Sequence, residues 1–122
     1  MGGKNGLEIK VMSQVEAVQF AKKKGVEMSG FSGGITLIDL GGRATVIIDK
    51  DLDLGLRVVY TAHELAQLNK IREAEAEGYP FSSICSHAHQ VGLRAGVEEA
   101  KKRGVLDQYL QHRGVKSVEE LR

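Results

Sequence analysis

The tripeptide Gly78-Tyr79-Pro80 constrains this chain more than any other stretch. Pro80 is the only proline, and it interrupts a run of helix-forming sequence that is otherwise nearly continuous from about Leu56 to Arg103. Proline lacks the backbone N–H that a helix interior needs, and a glycine just before it can take the left-handed conformation that ends a helix. Two long helices, Leu56 to Glu77 and Phe81 to Arg103, joined by so short a break must double back on one another. On the first, Val58, Ala62, Leu65 and Leu68 share one side, while Leu56, Val59, Tyr60 and Ile71 share the other with His63 and Gln67. Both sides of its first half are therefore apolar. Beyond Ile71 the sequence turns polar, with Glu73 and Glu75 on a solvated face beside Lys70 and Arg72. Gly104 ends the second helix. A short helix from Leu106 to His112 follows, with an apolar stripe of Leu106, Tyr109 and Leu110, and ends at Gly114. Ser117 and Glu120 then repeat the spacing of a capping box.

The first half of the chain has the other periodicity. Leu7 to Val11 alternates apolar and charged residues and predicts a half-buried strand. Ser13 and Glu16 form a capping box, and Val15, Val18 and Ala21 mark the inner face of a helix that ends at Lys22-Lys23-Lys24-Gly25. Ile35 to Leu40 and Ala44 to Asp49 are β-rich runs joined around Gly41-Gly42, a hairpin signal. The predicted class is α+β: a small antiparallel sheet with its hairpin packed against helices. Residues 1–104 form the domain and residues 105–122 its helical tail.

Composition excludes several functions. Seventeen basic residues nearly balance sixteen acidic ones, so no net field favours nucleic acid or an anionic membrane. No apolar stretch is long enough for a signal peptide or a membrane span. A single cysteine, Cys85, cannot form an internal disulfide and suits a reducing compartment. The expectation is a soluble, cytoplasmic protein.

The chemistry-bearing residues sit on the first long helix. His63-Glu64-Leu65-Ala66-Gln67 follows the zinc-peptidase pattern H-E-x-x-H up to its last position. In that pattern two histidines one helical turn apart bind zinc, and the glutamate activates a water. The segment Arg57 to Ala66 comes straight after a hairpin and resembles the small zinc peptidases of the ImmA/IrrE type. In those, a hairpin leads into a segment of the form R-F-T-x-A-H-E-L-G-H. Arg57, Tyr60, Thr61, Ala62, His63, Glu64 and Leu65 match its arginine, aromatic, threonine, alanine and H-E-L positions, with looser spacing at the arginine. The resemblance spans residues 7–100, although its specific part is about ten residues long. It implies a zinc cofactor, Glu64 as general base and a protein or peptide substrate. Tyr60 is a candidate for stabilising the oxyanion. The departure is Gln67, whose neutral carboxamide is a weaker zinc ligand than imidazole.

In such peptidases the third ligand comes from the following helix. That helix offers His89, His87 and Glu98 near the level of the motif. His87 and His89 lie on different faces, and His89 is favoured. The metal-ligand candidates are therefore His63, Gln67, His89, His87 and Glu98. A plainer reading stands beside this one. His63 and Gln67, one turn apart, can satisfy each other without a metal. Gly92, Ala95 and Gly96 then read as small residues that admit a neighbouring helix. Three functions follow: a hydrolase impaired at Gln67, an inactive scaffold that regulates or binds another protein, or a structural component of a virus or mobile element. In the last, the 105–122 tail would dock on its own domain or on a second copy, forming a homo-oligomer.

Overall fold

A computed structural model describes residues 6–39 and 41–121. Its elements are strand β1 (Leu7–Met12), helix α1 (Gln14–Lys23), strands β2 (Gly34–Ile38) and β3 (Ala44–Asp49), helices α2 (Leu54–Ala76), α3 (Phe81–Arg103) and α4 (Leu106–Arg113), and a closing turn of 3-10 helix at Val118–Glu120. The class is α+β. The chain divides into two compact units, one up to residue 53 and one from residue 54 onward.

In the first unit the strand order is β1-β3-β2. The hairpin β2–β3 is antiparallel as its glycines predict, with Ile35 opposite Ile47. Its turn is held by the Asp39 carboxylate, which accepts from the amides of Gly41 and Arg43 at 2.9 and 3.0 Å. Gly42 takes the left-handed conformation there, φ +83°. Leu40, the predicted end of the strand, lies outside the described residues. The sheet as a whole is mixed and not antiparallel: β1 runs parallel to β3, from Leu7 opposite Ala44 to Met12 opposite Asp49. A tight turn would have forced an antiparallel neighbour. Here α1, residues 24–33 and β2 intervene between β1 and β3, and that length allows a parallel one.

The capping box of α1 forms in full: Ser13 Oγ accepts from the Glu16 amide at 3.1 Å, and Glu16 accepts from the Ser13 amide at 3.0 Å. The buried face of α1 is Ala17 and Ala21, whereas Val15 is 73% exposed and Val18 only half-buried. Gln14 turns the helix that way. Its carboxamide donates to Phe31 O at 2.8 Å and to Asp49 Oδ2 at 2.9 Å, and accepts from the Phe31 amide at 3.0 Å. A polar side chain with three partners aims the 14-17-21 face inward, so the apolar count alone misplaces Val15.

In the second unit α2 and α3 pack along their length, and α4 lies against both. Gly78, φ +93°, ends the reversal between them as the sequence requires. The inner face of α3 is a ridge of small residues, Ala88, Gly92, Gly96 and Ala100, flanked by Leu93 and Val97, all buried. Small side chains at four-residue spacing keep this row low, so α2 approaches closely there, His63 against Gly92. On α2 the buried residues are Leu56, Val59, Tyr60, His63, Glu64, Leu68, Ile71 and Ala74; of the side shared by Val58, Ala62, Leu65 and Leu68, only Leu68 is buried. In α4, Tyr109 and Leu110 are buried as the stripe predicts, and Leu106 is half-buried. The second capping box does not form: Glu120 accepts instead from the Lys116 amide at 3.0 Å, and the Ser117 side chain makes no cap bond. Among the described residues no helix is long and apolar enough to cross a membrane.

Candidate functional site

The motif residues lie in the interior of the second unit. His63 and Glu64 are its buried polar pair, 3% and 6% exposed. Helical spacing carries Tyr60, His63 and Gln67 down one side of α2, each a turn from the next. His63 Nε2 lies 3.1 Å from Gln67 Oε1. A carboxamide oxygen can only accept, so Nε2 carries the proton and the lone pair sits on Nδ1. That Nδ1 is buried with no hydrogen-bond partner among the described residues.

His89, half-buried on α3, meets the His63 ring edge-on, centroids 5.4 Å apart and planes at 66°. The same helix brings Gly92 against His63. A methyl group added at Gly92 would fall 2.8 Å from the His63 carbonyl oxygen and 3.1 Å from both Cδ2 and Nε2 of the ring. Gly96, one turn on, leaves room for the Tyr109 ring of α4. Tyr60 and Tyr109 pack edge to face at 5.4 Å, and the Tyr60 hydroxyl meets His112 Nδ1 at 2.6 Å. The Tyr109 hydroxyl is buried without a partner among the described residues.

The electrostatics follow from burial. Desolvation lowers the His63 pKa from 6.5 to about 4, reinforced by the electrostatic influence of His89 and of the Arg113 guanidinium, against a smaller upward pull from the Gln67 bond. The imidazole is neutral at neutral pH, so its 3.8 Å contact with Glu64 is not an ion pair there. Burial also raises the Tyr109 pKa, with Arg113 opposing and Glu64 reinforcing the shift.

Of the sequence-derived candidates, the fold brings together His63, Glu64, Gln67 and His89, with Tyr60 on the same side of α2. It does not bring in His87 or Glu98, which are exposed on α3. Cys85 is half-buried, its thiol 3.9 Å from Ser82 O. Among the described residues no three His, Cys, Asp or Glu side chains are gathered so as to hold a metal ion. A zinc centre of the H-E-x-x-H kind needs an imidazole lone pair about 2.0 Å from the metal and an open position for water. Here Nε2 is spent on Gln67 and its edge of the ring faces Gly92 with less than a methyl group's clearance, while the Nδ1 lone pair belongs to no group of three such side chains among the described residues. These side chains as they stand do not fit zinc. Tyr109, His112 and Arg113 were not expected at the site. Tyr109 had signalled only an apolar stripe, and no pattern in the chain links Tyr60 to a histidine fifty-two residues further on.

No known protein family, curated protein or solved structure matches the chain.

Proposed function

We propose that this chain is a non-catalytic module that acts by binding another protein, built on a peptidase-like succession of hairpin and motif helix in which packing replaces the metal centre. The observation that carries this reading is the His63–Gln67 hydrogen bond at 3.1 Å, closed over by Gly92. Glutamine at that position completes a local polar pair, and the neighbouring helix takes up the space that a zinc-bound water and a peptide carbonyl would need. Support for a binding role comes from the first unit, where Leu7, Ile9, Val11 and Ile38 are each more than 40% exposed on one face of the sheet. Apolar side chains grouped in this way mark interaction surfaces more often than they mark catalytic ones.

Zinc titration tests the proposal. A ligand that binds only the folded state at a hundred times its Kd adds about 2.7 kcal/mol of stability. The expected result is no heat of stoichiometric binding and the same melting temperature in zinc and in chelator. One equivalent of zinc bound, lost in His63→Ala, with peptide hydrolysis lost in Glu64→Ala, would overturn it.

A further inference from the structure

Strand β1 is an edge strand, with β3 on one side of it and no described strand on the other. It is regular over its whole length, with no bulge and no proline from Leu7 to Met12. The carbonyls of Gly6 and Met12 accept from the amides of Ala44 and Lys50, at 2.9 and 3.1 Å. In a parallel pair, successive residues turn their peptide groups to alternate sides. The even-numbered residues therefore bond to β3, and Leu7, Ile9 and Val11 present their N–H and C=O groups outward. Those same three residues are 46%, 47% and 49% exposed. Natural sheets blunt such an edge with proline, bulges or a lone charge, because it is a template for another strand.

We propose that the β1 edge pairs with β1 of a second copy of this chain, antiparallel about Ile9, so that two three-stranded sheets join into one. This deepens the binding-module reading above by naming a second copy of the chain as a partner. The sequence Leu7-Glu8-Ile9-Lys10-Val11 is complementary to itself in that one register. Ile9 faces Ile9 of the other copy, and Leu7 faces Val11. Glu8 faces Lys10 on both sides of the centre. Pairs with outward peptide groups, Leu7–Val11 and Ile9–Ile9, exchange about six N–H···O bonds. The Glu8–Lys10 pairs fall at the non-hydrogen-bonded positions, where Cα atoms approach to about 4.5 Å and side chains are closest.

The neighbouring registers that keep the apolar side chains on one face are shifted by one residue in each copy. One sets Glu8 against Glu8, the other Lys10 against Lys10, and like charges directly opposed are unfavourable. Within one chain Lys10 Nζ already lies 3.7 Å from Glu8 Oε2. The pairing extends this contact into an alternating row of four charges, while the Leu7, Ile9 and Val11 rows of the two copies merge on the other face. The same patch meets itself, so the contact closes at two copies.

Sedimentation equilibrium of the full chain from about 1 μM to about 1 mM spans the range expected of an interface this small. The mass should rise from 13.3 kDa toward twice that value. Lys10→Glu and Glu8→Lys should each stay monomeric when alone, because each sets like charges against one another. Mixed in equal amounts, they should recover the doubled mass, because every pair is then opposite in charge. Ile9→Pro removes an outward N–H that β3 does not use. It should remain monomeric with an unchanged circular-dichroism spectrum, which separates loss of pairing from loss of fold. A monomer at every concentration would overturn the proposal. So would a dimer indifferent to Lys10→Glu and Ile9→Pro, or masses climbing past two copies, which would place the contact on a head-to-tail surface. None of these outcomes depends on whether the chain binds zinc.

Discussion

Gly92→Ala tests how closely α3 approaches the motif helix. The added methyl would sit 2.8 Å from the His63 carbonyl oxygen and 3.1 Å from two ring atoms. A comfortable carbon–oxygen contact is about 3.3 Å or longer, and carbon–carbon contacts are best near 3.5–4.0 Å, so these overlaps are about half an ångström. The first is with backbone, which cannot swing aside. Either α2 withdraws from α3, or the His63 ring turns and stretches its 3.1 Å bond to Gln67. Overpacking of a core costs about 1–3 kcal/mol, and a rigid obstacle places this site near the upper end. Alanine returns about 1 kcal/mol through its better helix propensity. The net loss is about 2 kcal/mol, which lowers the urea midpoint by about 1 M for a slope of about 2 kcal/mol/M. Urea unfolding followed by helical circular dichroism reads this directly. Gly96→Ala is the control, because its nearest neighbour is the end of the Tyr109 side chain, 3.0 Å away and able to move. If Gly92→Ala proves as stable as the parent chain, or no worse than Gly96→Ala, the close packing described here is wrong.

Further predictions concern other buried groups. The folded pKa of His63, about 4, lies below the ordinary 6.5, so the unfolded chain binds the proton more tightly. Stability should be intact above pH 6.5 and fall as the pH drops toward 4, by about 1.4 kcal/mol per unit at most and about 3 kcal/mol in all. His63→Leu should flatten that slope in urea titrations across the window. Tyr109→Phe removes a buried hydroxyl that has no partner among the described residues and should raise stability by about 1 kcal/mol in thermal melts; a loss of that size would show that the hydroxyl is in use. Gln14→Ala abolishes three hydrogen bonds that tie α1 to Phe31 and Asp49. It should cost about 2 kcal/mol and speed hydrogen exchange at the Phe31 amide, and unchanged exchange would count against the clamp.

The elements were legible in the sequence wherever one local signal governs them. Pro80 with Gly78 placed the reversal between α2 and α3, Gly104 and Gly114 placed the helix ends, and Ser13 with Glu16 placed the start of α1. What failed depends on partners distant in the chain. The direction of β1 is a property of its pairing with β3, and nothing within Leu7–Met12 encodes it. Apolar spacing groups Val15 with Val18 and Ala21 on one face because it cannot register a glutamine that finds three polar partners elsewhere. Ser117 and Glu120 have capping-box spacing, but the Lys116 amide captured the carboxylate. At the site, the helical wheel sets His63 and Gln67 on one side of α2, and their side chains meet there; His89, favoured from the sequence as a third metal ligand, lies edge-on to the His63 ring. The arrival of Tyr109 and His112 was not legible, because α4 reaches Tyr60 only through tertiary packing.

A nitrogen-15 NMR titration of the His63 imidazole tests most directly whether the motif helix is packed core or a metal centre. The account requires a neutral ring, protonated on Nε2, that holds this form down to about pH 4 and does not change when zinc is added. A ring that titrates near 6.5, or whose nitrogen signals move on addition of one equivalent of zinc, would contradict it.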